Sequence, residues 1–432
     1  MNLSLSTLFL SHLNRAPEFR QGWSALLVAL SGVITSAHFL PLYSFGPLAP
    51  DLSRALDIPL GELQRCITLN FVGIAVGSQL AGWLMDRFSL RSVALCSLVM
   101  YALTYITMGT VSLSQSLLYA YYFLLPIFGS GTLLVTWTKI VCDKFERQRG
   151  IALAILLSGS GVVSTVLPLL LAGYVGTAEW QQGFIVMGIL PLFTLLVCFF
   201  ALPSGSSGSS QQSSLSSNSV KHGNDQVPRQ ITGLSYRETL RSRQFWTIIV
   251  ALILVVFVVV SMITNTVPML VQKGLSQSDA TLVFSAFGLA LVAGRLAGGF
   301  LLDKFWGPLI AFCALVLPSI GCLIFLLAPA HIALMVMATV LVGVAAGAEF
   351  DILAYLASRY FGLRSYAKVF GTVSGTVALG SGVSPLLVGP LIDATGSYDA
   401  LLFICIALAA LGASLFLTLG PYPDFDEVVA QG

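Results

Sequence analysis

Residues 77–88 read GSQLAGWLMDRF and residues 294–305 read GRLAGGFLLDKF. Aligning Asp86 with Asp303 places them 303 − 86 = 217 residues apart, about half of the 432-residue chain. Gly82 then matches Gly299, and each acid is followed directly by a cation, Arg87 or Lys304. A stretch written twice at half the chain length marks a duplicated unit.

Composition narrows the class. The chain is 56% hydrophobic and only 9% charged, against the ~25% charge of soluble domains. Its 40 glycines suit membrane helices, which pack closely through small residues because no hydrophobic effect drives them together. A duplicated chain of this apolarity is read first as a transporter. The net charge of +2 points to no polyanion, so nucleic acid is not an expected partner. The seven cysteines are unevenly spaced and mostly lie inside apolar runs, forming neither a disulfide framework nor a metal site. No phosphate loop or HExxH pattern occurs, so no cofactor, metal or ATP hydrolysis is implied and the chain is not read as an enzyme.

Windows of about 20 apolar residues, the length that crosses a ~30 Å hydrocarbon core, give twelve spans. They fall near 23–45, 63–85, 92–112, 116–141, 150–172, 184–202, 245–270, 280–302, 307–328, 332–358, 366–392 and 400–419. Residues 1–21 show no cleavable leader. With the amino terminus inside, sixteen Lys and Arg fall on inner segments and only Arg54, Arg65 and Lys273 on outer ones. That asymmetry puts both termini in the cytoplasm, and the expected location is a plasma membrane of the bacterial inner-membrane kind. The expected architecture is an all-α membrane protein of two pseudo-symmetric six-helix bundles, residues 1–202 and 245–432. A Ser-rich cytoplasmic linker over 203–244 would join them as a flexible tether.

Twelve spans in two parallel halves with a long central loop describe the major facilitator architecture. The stretch 82–91, GWLMDRFSLR, resembles that superfamily's signature between its second and third helices. Gly82 and Gly299 would permit close helix crossing. Asp86, Arg87, Arg91, Asp303 and Lys304 would cap helix ends and latch neighbouring helices in gating.

Within the superfamily the chain resembles the monocarboxylate porter family and its bacterial oxalate/formate relatives. The resemblance runs through LPLYSFGPLAPDL at 40–52, GRLAGGFLLDKF, and GAEFDILAYLASRYFGLRSYAKVFG at 347–371. It implies that Arg295 holds a substrate carboxylate. There are departures. Where animal monocarboxylate porters carry an aspartate four residues before this arginine, the chain has Leu291, and where they carry a lysine after the first-span proline, it has Leu42 after Pro41. The second cation of the oxalate/formate exchanger is also missing, since the eleventh span holds only Lys368, near its inner end. One central cation implies one carboxylate.

The residues support Arg295 independently. It lies eight residues before Asp303, which at 1.5 Å per residue is about 12 Å deep, near the midplane. A cation there costs at least ~2.5–3.5 kcal/mol and must face a cavity or a counter-ion. Arginine's planar fork matches a carboxylate. A structural ion pair is the other reading, with Glu349 and Asp351 in the tenth span as partners at roughly the same depth. At i and i+2 they project about 200° apart, so both cannot face one point. A carboxylate that deep needs a cation or a proton. Either acid therefore serves as proton carrier or conformational latch. His38 is a proton site or a helix contact. Tyr43, Asn70, Asn265 and Tyr355 line the substrate cavity or pack between helices.

These readings converge on a secondary transporter for an organic anion, a monocarboxylate, by alternating access with proton symport. Its partners would be that small anion, a proton and membrane lipid, and it would work as a monomer. An exporter of bulky amphiphiles or a siderophore importer is the alternative, with Arg295 then purely structural.

Overall fold

The computed structural model describes residues 17–145, 149–177, 179–201, 233–302, 304–362 and 366–423. These form seventeen α-helices. The first nine are α1 Pro17–Ile34, α2 Leu40–Leu56, α3 Leu60–Arg87, α4 Leu90–Thr110, α5 Gln115–Phe128, α6 Leu134–Lys144, α7 Arg149–Leu157, α8 Gly159–Leu171 and α9 Gln182–Ala201. After the linker come α10 Tyr236–Arg241, α11 Arg243–Gln272, α12 Gln277–Leu302, α13 Gly307–Leu315, α14 Leu317–Leu327, α15 Ile332–Phe361, α16 Tyr366–Thr395 and α17 Asp399–Phe416. Among the described residues the only β-type contact is an isolated bridge between Gly233 and Gly362.

Among the described residues ten helical stretches are long and apolar enough to cross a membrane. The shorter apolar helices Gly22–Ile34 and Gln115–Phe128 fall in the first and fourth expected spans. Those two spans are interrupted. Pro41, in the first turn of α2, cannot donate to a preceding carbonyl and its ring would clash there, so the helix of the first span stops at Ile34 and restarts at Leu40. The Thr132 hydroxyl accepts the freed Ala37 N–H at 3.1 Å. Thr132 itself belongs to the 3-10 turn Ser130–Thr132 that interrupts the fourth span. Large apolar side chains such as Phe193, Phe200, Leu289, Leu327 and Leu379 face outward, as lipid-facing positions require and a water-facing surface does not.

The chain forms two compact units. The first comprises Met1–Leu42, Val72–Val163 and Thr177–Ser217, and the second Tyr43–Phe71, Ser164–Gly176 and Asn218–Gly432. The boundary therefore passes through α2, α3 and α8. In the first unit α1 packs on α6. Gly22 leaves room for the Phe145 ring and Gly32 for the Trp137 indole, whose Nε1 donates to the Thr132 carbonyl at 2.8 Å. Phe19, Leu26, Leu98 and Ile140 close this core.

The second unit is built around the crossing of α12 and α15, with α11 against α16 and α17. Its linker-side end is folded where the sequence reading expects tether. The Leu234 N–H donates to the Phe361 carbonyl at 2.9 Å, Ser235 and Glu238 form a reciprocal capping box on α10, and Tyr236 bonds Thr372 at 3.0 Å. Residues 203–232 of the expected linker lie outside the described residues.

Candidate functional site

The site begins with glycines. On α12, Cβ atoms at Gly294 and Gly298 would meet Val344 and Ala348 of α15. On α15, Gly343 would meet the Phe287 carbonyl, and Gly347 the Leu291 carbonyl and the Arg295 amide nitrogen. The i, i+4 spacing on both helices gives each one a face without side chains, so the backbones touch. The next residue after Gly294 is Arg295, and two residues after Gly347 is Glu349. The crossing thus carries the cation and the acid to one level.

Arg295 is 6% exposed and Glu349 8%. Arg295 Nε and Nη1 and Glu349 Oε2 are buried and have no hydrogen-bond partner. Glu349 and Asp351 both lie within the electrostatic reach of Arg295, yet no ion pair joins either acid to it among the described residues. Both acids sense the same cation even though they project from different sides of α15. Around Glu349 stand Leu252 and Val256 of α11, Leu353, and Val377 of α16, an apolar wall that supplies no donor.

Tyr43 of α2 completes the group. Buried at 3%, it senses the charges of Glu349 and Arg295, and its hydroxyl is hydrogen-bonded with Ser164 of α8. Its ring lies 6.1 Å from that of Phe287, which stacks on Phe284 at 5.7 Å. Phe284, Phe287, Leu291 and Arg295 follow one another at helical spacing along one side of α12. The result is a guanidinium with open donors at one end of an aromatic and aliphatic strip. Ser164 and Phe287 had no place in the sequence reading.

The other expected residues go elsewhere. Asn265 accepts from Gln64 Nε2 at 2.8 Å and donates to the Ser261 carbonyl and the Thr264 hydroxyl, both at 2.9 Å. Its polar atoms are committed to helix packing. Tyr355 lies against Gly307, with the Arg359 guanidinium 6.0 Å from its ring, among groups that hold the segment after α17. That placement removes it from the Arg295 group. Asn70 is buried further along α3. His38, in the first unit, sits in the break between α1 and α2, with its N–H on Ser36 Oγ at 3.2 Å and its ring 4.8 Å from Phe39.

The repeated motif also differs from expectation. Among the described residues a Cβ at Gly82 or Gly299 would meet nothing within 4 Å, and the close crossings fall at Gly73, Gly77, Gly294 and Gly298 instead. The cap of α4 is Ser89, which accepts from the Ser92 N–H at 3.2 Å. Arg91 Nη2 ties α4 to α9 through the Phe199 carbonyl at 2.8 Å. Arg87 lies over Trp83 at 4.4 Å and Lys304 over Phe300 at 4.0 Å. Nothing is described of the Asp86 side chain, and Asp303 lies outside the described residues.

The Major Facilitator Superfamily model matches residues 26–385, and the chain belongs to that superfamily. It is 25% identical over 364 residues to the uncharacterized MFS-type transporter YhjX of Escherichia coli K12, covering 82% of this chain and 85% of that one. To mouse monocarboxylate transporter 11 it is 22% identical, over 92% and 88% of the two chains. To the 3-(3-hydroxy-phenyl)propionate transporter of Escherichia coli K12 it is 22% identical, over 94% and 96%. The crystal structure of D-xylose-proton symporter superposes with a TM-score of 0.69 at 14% identity, covering 92% of this chain and 98% of that one, a likeness of fold. The protein is a multi-pass membrane transporter of the major facilitator fold, not an enzyme.

Proposed function

We propose that the chain is a secondary active transporter of a monocarboxylate, with Arg295 holding the carboxylate. The observation that carries this is the pair of buried, unpartnered donors on Arg295, Nε and Nη1. Leaving such donors unpaired in a low-dielectric interior is costly, and a carboxylate supplies both the acceptors and the opposite charge that a guanidinium calls for. The strip of Phe287, Phe284 and Tyr43 would take the apolar remainder of the substrate. Two relatives support the substrate class, one named a monocarboxylate transporter and the other a transporter of an aryl propionate.

Glu349 and Asp351 are the coupling groups in this reading. Uptake of an anion against an inside-negative potential is opposed by about 2.3 kcal/mol per 100 mV, and a proton taken up with it cancels that term. Two six-helix halves, 1–202 and 245–432, would rock about the Arg295 site with both termini in the cytoplasm and the chain acting as a monomer.

The test is uptake of radiolabelled mono- and dicarboxylates into proteoliposomes, with and without an inward proton gradient. Gradient-stimulated monocarboxylate uptake, lost in a folded Arg295→Ala protein, is the expected result. Normal transport by Arg295→Ala would end the carboxylate reading and favour a carrier of amphiphiles or siderophores.

A further inference from the structure

At one end of the second unit, a buried acid ties three separate chain segments together. Asp51 of α2 is 4% exposed. Its Oδ1 accepts from Arg54 Nη2 at 2.6 Å, and its Oδ2 from the Gly176 N–H at 2.9 Å and from Gln277 Nε2 at 2.6 Å. Gln277, at the start of α12, also donates to the Pro47 carbonyl at 2.9 Å and accepts from Arg54 Nη2 at 2.8 Å. Gly176 reaches this acid from a backbone with φ +73°, a conformation that favours glycine.

A second contact lies at the neighbouring helix ends. Gly61 of α3 lies against Gly389 of α16, each where the other's Cβ would be, and the Gly61 N–H donates to Asp393 Oδ1 at 3.0 Å. Gln64 then reaches Asn265, and Thr68 Oγ1 donates to the Gly382 carbonyl at 3.3 Å. Gly61, Gln64 and Thr68 recur at helical spacing, so one face of α3 is zipped along α16 and α11.

We propose that Asp51 with Gln277, and the Gly61–Gly389 crossing, form the outer latch of the transport path, holding that end closed until the Arg295 site turns outward. The inference rests on the transporter reading and adds residues that act on access, not on the substrate. The contacts from Asp51 and Pro47 to Gln277, from Gly61 to Gly389 and Asp393, and from Gln64 and Thr68 to their partners all join the first half of the chain to the second. Parting the halves at this end breaks all of them together. What each partner keeps makes the break affordable. Asp51 retains Arg54 and the Gly176 N–H, both from its own half, so the acid is never stranded, while Gln277 is released to water. The glycine crossing interlocks no side chains and can separate without rotamer changes. Such a set is strong when closed and cheap to open, as an alternating gate requires.

The test uses the full chain with its seven cysteines replaced and Thr68→Cys as a reporter, since Thr68 lies behind the latch on the zipped face. A membrane-impermeant methanethiosulfonate is applied from outside to intact cells. Slow labelling is expected with the latch intact. An increase of about tenfold is expected for Asp51→Ala, as loss of one hydrogen bond to a charged group implies, with rises for Gln277→Ala and Gly389→Ala. Equal rates in all four proteins would overturn the proposal, as would acceleration seen only in inverted vesicles. Should Asp51→Ala fail to fold, Gln277→Ala reads the same contact. The readout needs no substrate, so failure of the carboxylate reading leaves this result standing, and the reverse also holds.

Discussion

A Cβ on Gly347 would stand 2.9 Å from the Arg295 amide nitrogen, so the backbone that carries the buried guanidinium rests directly on α15. Gly347→Ala must push the two helices apart and is expected to destabilise the protein by about 1–3 kcal/mol, as overpacking does. Thermal unfolding in detergent would register it as a lower midpoint. Gly82→Ala and Gly299→Ala have open space and should stay within about 0.5 kcal/mol of the parent. Equal losses at all three positions would refute the crossing as the element that places Arg295.

Charge and fork geometry at Arg295 separate in Arg295→Lys, which keeps the cation and loses the planar donor pair. Affinity for a monocarboxylate should fall by about tenfold or more, the worth of a charge-assisted hydrogen bond, with folding retained. Saturation of uptake at graded substrate concentration checks it. A substitution that leaves the half-saturating concentration unchanged would argue for a point-charge role.

Glu349→Gln keeps the shape of the acid and removes its ability to carry a proton. Uptake by the parent protein should rise as the outside is acidified, whereas Glu349→Gln should lose that stimulation while still exchanging labelled for unlabelled substrate. Asp351→Asn tested in parallel shows which acid couples, since both sense Arg295. Retained gradient stimulation in both variants would move coupling to another group.

Beyond α17, Tyr422 accepts the Gly307 N–H at 2.8 Å, and its ring lies 5.1 Å from that of Tyr360 and 4.8 Å from the Arg359 guanidinium. Tyr422→Phe should cost about 1 kcal/mol and speed proteolysis of the tail. Burial pushes the Tyr422 phenol up from its ordinary value. Burial thus favours the neutral phenol in the folded state, and the stability it contributes is fully present below about pH 10 and is lost as pH rises beyond that. A thermal midpoint unchanged by Tyr422→Phe would count against the tail as a structural strap.

The membrane class, the apolar spans and an arginine buried among them were legible in the residue string, because lipid imposes length and composition on every crossing helix. Arg295 stood out for the same reason, since an arginine inside an apolar span is rare unless it is used. Depth along a helix follows from counting residues, which put Glu349 and Asp351 level with it. Which glycines touch another backbone was beyond counting. Gly82 and Gly294 look alike as letters, yet the first faces open space and the second a carbonyl, a difference set by which helix lies opposite. For Tyr355 and Asn265 the choice between lining a cavity and packing between helices stayed open for the same reason, since a polar residue in a span says that it needs a partner and not which one. Ser164, Gln64 and Asp51 gained their roles only from neighbours 100 or more residues away in the chain. Composition and periodicity are local properties that solvent and lipid select residue by residue. Contacts between distant segments depend on how whole helices are turned and crossed, and that is settled by packing.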